Sequence, residues 1–188
     1  MLAEFIEFVE SVLPAVPPEV KDRAKAAIRQ FEGDGNQAKF LMLNPLDNLS
    51  QGDVISRVPF SYFDESGTQK VFTADGIIIS TSCHIDQKDK IIMAPVLPLS
   101  SFQGNLVDLR NNTIFDYMYI QEDGLIDKYI DFEFLNTYDK DLIMRALDND
   151  VLHRICSFNM LGYYLFIVKL SVYLMRREDD GTLQERSF

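Results

Sequence analysis

The sequence predicts an α+β protein, and three observations carry that expectation. Apolar residues recur at helical spacing near the start of the chain, give way to β-branched and alternating runs from Gly52, and return to helical spacing near Asp139. The hydrophobic share is 47% with only 9 Gly and 7 Pro, which is the composition of a packed globular chain. With 188 residues there is room for one sizeable core and a smaller appendage. The expected division is a helical extension over residues 1–48, a strand-rich unit over 49–136, and helices over 137–188 that pack on it.

Leu2, Phe5, Ile6, Val9 and Leu13 fall on one face of a helix over residues 2–13, with Glu4, Glu7 and Glu10 away from that stripe. Pro14, Pro17 and Pro18 end it. A second helix runs from Pro18 through Val20, Ala24, Ala27, Ile28 and Phe31 and stops at Gly33. The resulting hairpin has apolar faces that must be covered by the rest of the chain or by a partner. A short helical turn is expected around residues 39–43, followed by a Pro-containing connector.

Val54, Ser56, Val58 and Phe60 alternate onto one face of a strand whose Pro59 puts it at an edge or near its end. Residues 61–70 are turn-rich and lead through Val71 and Phe72 to a central pair of buried strands, 76–80 and 91–97. Between that pair, residues 81–90 form a polar loop holding Ser82, Cys83, His84, Asp86 and Asp89. The runs 114–120 and 125–132 are strands joined by a hairpin at Asp123-Gly124, with Tyr117, Tyr119, Tyr129 and Phe132 as cross-strand aromatics. Thr137 to Asp141 supplies caps and first-turn acids for a helix over 139–147. A long helix follows from Val151 to about Arg177, apolar nearly all round in its second half and therefore buried. The tail, GTLQERSF, is expected to lack structure.

With the strands placed, residues 52–97 resemble the small SH3-like barrel of MazF/PemK-type toxins. Gly52-Asp53-Val54 is similar to the Gly-Asp-hydrophobic opening of that family's first strand. GIIIS, ending in Ser80, is similar to the strand that ends in a Ser, and Met93 to Val96 to the following strand with its internal Pro. The resemblance implies an SH3-like β-barrel flanked by the N-terminal helical hairpin and the long C-terminal helix. Where the ribonuclease members carry an Arg-Pro pair this chain has Ala74 and Asp75, and Leu97 stands near the place of a Thr. The groups that would stabilise a phosphoryl-transfer transition state are thus replaced, and Asp75 would oppose a phosphate. Ser80, Cys83 and Ile85 also resemble the Ser-x-x-Cys-Asp-Ile spacing of a second group of bacterial and phage barrels, with His84 in the Asp position. Both groups occur in toxin–antitoxin or phage-conflict settings. The resemblance therefore implies a non-enzymatic protein-interaction module in such a system. The alternatives are an endoribonuclease toxin with a rearranged site, or a Cys83-dependent enzyme.

The candidate binding residues are Ser80, Ser82, Cys83, His84 and Asp86, and the candidate catalytic ones Cys83, His84 and Asp86. An imidazolium beside a thiol favours thiolate. Neighbours on an extended segment point to opposite sides, however, so Cys83 would need His153 or Asp86 as its base. Cys83, His84, Asp86 and Asp89 have the atom types of a metal site without paired ligand spacing, so neither metal nor cofactor is expected. Asp64, Glu65, Glu122 and Asp123 read as solvated turn acids, and Tyr163, Tyr164, Phe166 and Tyr173 as core or interface. A net charge of −11, with no basic run longer than Arg176-Arg177, argues against nucleic acid. Only 2 cysteines and an acidic start predict a cytoplasmic protein. The apolar run 162–175 is short for a membrane span and contains Lys169. The expected partner is a protein or a second copy, met through the N-terminal or C-terminal helices.

Overall fold

The computed structural model describes residues 39–175 and 180–186, together with Glu19, Asp22, Arg23, Lys25, Ala26, Arg29 and Gly33, which are helical. The predicted helix over 2–13 lies outside the described residues. The architecture is α+β. Strands β1 (Leu41–Met42), β2 (Val54–Phe63), β3 (Gln69–Ile78), β4 (Lys90–Pro98), β5 (Tyr117–Tyr119), β6 (Lys128–Asp131), β7 (Asn136–Asp139) and β8 (Arg154–Phe158) form one antiparallel sheet. Its order is β1-β8-β2-β3-β4-β6-β5, with β7 also paired to β4. Backbone pairing does not close it. Side chains bridge part of the gap, because Asn136 bonds the backbone N and O of Ser61 and the Tyr138 hydroxyl donates to the Pro59 carbonyl.

The sheet carries a core on each face. On one face α4 (Met160–Leu174) buries Leu165, Phe166, Val168 and Leu170 over Val54, Ile77, Ala94, Val96 and Phe132. On the other, Ile85 of α1 (Ser82–Gln87) and Ile143 of α3 (Lys140–Asp148) cover Ile55, Val58, Phe60, Ile78, Ile91 and Met93. A smaller cluster of Leu109, Tyr119 and Tyr129 sits beside α2 (Leu106–Arg110).

The predicted central pair is present, as Asp75 to Ile78 pair with Val96 to Met93. So is the β5–β6 hairpin, with Gly124 at φ +99° in its turn. Asp139 caps α3 by accepting from Asp141 N, as its sequence position predicts. Other expectations are corrected. Residues 41–42 are strand rather than a helical turn, because the edge of β8 offers them partners at Phe158 and Ser157. Val54 and Phe60 do not share a face, since β2 bulges between Ile55 and Val58 and sends Val54 to the α4 side. The helix expected from Val151 is strand over Arg154–Phe158, paired with β1 and β2, and α4 starts only after Asn159, whose side chain accepts from Gly162 N at 2.9 Å. The tail is not featureless, because α5 spans Asp180–Glu185.

Candidate functional site

The residues singled out in 80–89 are placed by α1 rather than by a loop. Thr81 caps that helix by accepting from His84 N at 3.3 Å, which starts a turn where a polar run suggested none. Ser80 is buried, and its Oγ accepts from Ile92 N at 2.8 Å, locking the end of β3 to β4. Ser82 Oγ accepts from Gln51 N at 3.2 Å. Cys83, His84 and Asp86 are exposed, and no hydrogen bond or ion pair joins them among the described residues. Successive helical residues project about 100° apart, which separates the thiol from the imidazole. No group of three or more His, Cys, Asp or Glu among the described residues could hold a metal.

Asp53, of the Gly-Asp pair, is 1% exposed. It accepts from Ser157 Oγ at 2.5 Å, Ser50 N at 2.9 Å and Arg154 Nη2 at 2.8 Å, tying the start of β2 to β8. Burial raises its carboxyl above the usual range, and those bonds oppose the rise without cancelling it. Glu122 is likewise no solvated acid, since its carboxylate accepts from the backbone of Phe40 and Leu41.

A groove lies elsewhere among the described residues. β3 and β4 are paired only from Asp75↔Val96 inward, while β3 continues beside β2 to Gln69 and β4 continues beside β6 to Pro98. Where the two hairpins diverge, a groove of about 1260 Å³ opens. Tyr62, Phe72 and Phe134, with centroids 5.6 to 6.2 Å apart, form one wall. Phe102, Tyr117 and Tyr129, at 5.4 to 5.5 Å and near-perpendicular, form the other. Ala74 and Val96 also line it.

Two of the lysines that line this groove are held in ion pairs. Lys128 Nζ lies 2.7 Å from Asp75, at the fork, and Lys70 is 3.4 Å from Asp64. Arg57 is exposed at the β2 bulge with φ +63° and has no ion-pair partner among the described residues. Asp131 is 3% exposed, and burial, with the Glu133 and Asp116 charges, pushes its carboxyl up to about 6. Tyr117 donates to Glu133 at 2.6 Å, and burial with that bond raises its phenol well above the ordinary value. Such a site can hold an elongated ligand of mixed apolar and polar character and place an acid of near-neutral pKa beside it.

Ala74, Asp75 and Leu97, noted as replacements for the ribonuclease groups, all line this groove, and Ser80, Cys83, His84 and Asp86 do not. Sequence reasoning placed Tyr117 and Tyr129 on paired strands but had no signal for Phe102, Arg57 or Asp131. Their convergence depends on the divergence of two hairpins. No protein-family model and no curated protein matches this chain. No described helix is long and apolar enough to cross a membrane.

Proposed function

We propose that this chain is a non-enzymatic, MazF/PemK-like protein-interaction module of a bacterial toxin–antitoxin or antiphage system, and that its ring-walled groove receives the protein partner. The observation that carries the reading is the groove itself: six aromatic rings on two walls, with Lys128 and Lys70 already neutralised by Asp75 and Asp64. Aromatic anchors in a concave site dominate the energetics of protein recognition. A polyphosphate would meet Asp75 and Asp131 in a molecule of net charge −11 and gain little from counterion release. The bridging of β2 to β7 by Asn136 and Tyr138 supports the barrel reading of the sheet.

Panning random dodecapeptides displayed on phage against the purified chain tests this reading. Enriched peptides should lose about tenfold in affinity on Phe134→Ala or Tyr117→Ala, the scale of one hot-spot contact. Cys83→Ala and His84→Ala should bind as the wild type does. Peptides that ignore the ring variants and need Cys83 or His84 would move the site to α1.

One observation favours the endoribonuclease alternative. Asp131, with a carboxyl near 6, shares the groove with Arg57 and Lys128, which could serve as acid–base group and phosphate ligands. Long single-stranded RNA at low salt should stay intact. Cleavage that Asp131→Asn abolishes would replace the interaction reading.

A further inference from the structure

The mode of docking follows from the backbone of β3. In an antiparallel ladder, residues alternate between pairs that exchange both backbone hydrogen bonds and pairs whose N–H and C=O groups point away from each other. Ser61 and Pro59 of β2 show which pairs are which. Ser61 N donates to Asn136 Oδ1 at 2.8 Å and its carbonyl accepts from Asn136 Nδ2 at 3.2 Å. The Pro59 carbonyl accepts from the Tyr138 hydroxyl at 2.9 Å, and proline has no N–H to give. Both residues therefore direct their backbone away from β3. Their partners are Val71, opposite Ser61, and Thr73, opposite Pro59. The N–H and C=O groups of Val71 and Thr73 accordingly point away from β2, to the side that β4 occupies for Asp75 and Ile77. At Val71 and Thr73 β4 is no longer there, and the groove is.

We propose that the open edge of β3 at Val71 and Thr73 takes an extended segment of a partner polypeptide as an added antiparallel or parallel strand, with its side chains lodged between the aromatic walls of the groove. This rests on the reading of the groove as the partner site and names the recognition mode. Strand addition gains affinity from main-chain hydrogen bonds and specificity from alternate side chains. The edge carries little of the protection that natural sheets give such positions. Its outward residues are the β-formers Val71, 67% exposed, and Thr73, and Lys70 is the one charged residue among 70–74. At about 3.3 Å per residue, a five-residue segment covers Lys70 to Ala74. The occupant is an extended segment because the outward main-chain groups recur at Val71 and Thr73, two residues apart, which is the repeat of a strand's own N–H and C=O groups. Arg57, a groove cation without an ion-pair partner among the described residues, fits an acidic side chain on that segment.

The test uses the full chain and a peptide enriched by the panning described above. Amide exchange at Val71 and Thr73 should be fast in the free protein and at least about tenfold slower in the complex. Thr73→Pro removes an N–H that faces away from β2 and has no strand partner among the described residues, so the variant should fold and unfold like the wild type, yet bind the peptide at least about fivefold more weakly for one lost hydrogen bond. If Thr73→Pro fails to fold, the exchange measurement decides alone. Peptide binding that Phe134→Ala weakens, with no slowing at Val71 and Thr73, would keep the groove and overturn strand addition. Failure of any peptide to enrich would overturn both. A wild-type dimer in light scattering that Thr73→Pro dissociates would assign the edge to a second copy, and slowing of the same amides by single-stranded RNA would assign it to nucleic acid; either overturns the polypeptide occupant.

Discussion

Lys169 is the cation in an otherwise apolar helix, 7% exposed, and its ammonium donates to the carbonyls of Asn112 at 3.1 Å and Ile114 at 2.5 Å. It pins the loop after α2 to α4, and its charged form is desolvated in doing so. Burial lowers its pKa from 10.5 to about 8, with the Asp116 charge pulling the other way. Between about pH 8 and 10.5 the unfolded chain holds a proton that the folded one has lost, so stability should rise with pH there. Asp131 behaves with the opposite sign, since its folded pKa of about 6 lies above the ordinary 3.8. The folded state binds the extra proton between those values, so its contribution is complete at acid pH and is lost as pH rises through 6. Each shift corresponds to roughly 3 kcal/mol at most. Denaturant unfolding at several pH values should show the alkaline rise vanish in Lys169→Met and the acid-side decline vanish in Asp131→Asn. Identical profiles in wild type and variants would mean that neither group is buried as described.

At the scale of elements, the contact that seats α4 is a glycine. A Cβ on Gly162 would lie 2.2 Å from the Phe40 carbonyl oxygen and 2.7 Å from the Phe158 ring, and a backbone atom cannot swing aside as a side chain can. Gly162→Ala should therefore cost about 2 kcal/mol or more in denaturant unfolding, despite alanine's better helix propensity. An unchanged midpoint would mean that α4 does not approach β1 so closely. The same region shows what the sequence could and could not disclose. Caps and periodicity are local, and they predicted the Asp139 start of α3, the buried face of α4 and the central β3–β4 pair. Arg154 to Phe158 became strand for a non-local reason, because it lies between two edges that offer it hydrogen bonds, Leu41–Met42 and Val54–Ile55. Residues 82–87 became helix through one threonine cap and one buried apolar side chain, Ile85, too little periodicity to read. Of the groove, the aromatic strands were visible in the sequence and the fork between hairpins was not, since pairing that stops leaves no local mark.

Across the whole molecule, the two main cores share one sheet at single-residue resolution. Val54 and Ile55, adjacent on β2 and both fully buried, belong to opposite cores, and Ile77 and Ile78 of β3 divide in the same way. Asp53 reinforces the junction by joining β2 to β8 through Ser157 and Arg154, and the Nε of Arg154 is a buried donor without a partner among the described residues. Neither face can lose its packing without releasing the strands that back the other. Chains of this length often unfold through intermediates, so a single transition would be informative. Far-ultraviolet circular dichroism and the fluorescence of the 8 tyrosines, in a chain with no tryptophan, should follow one coincident denaturation curve. Ile55→Ala, which empties space in the α1–α3 core, should shift both curves together by about 2 to 5 kcal/mol. Val54→Ala, on the α4 side, should shift them together as well, by about 1 to 3 kcal/mol, since it removes fewer atoms. If Ile55→Ala splits the curves, with α-helical signal persisting after tyrosine fluorescence has changed, the two cores fold as separate units and the shared sheet does not couple them.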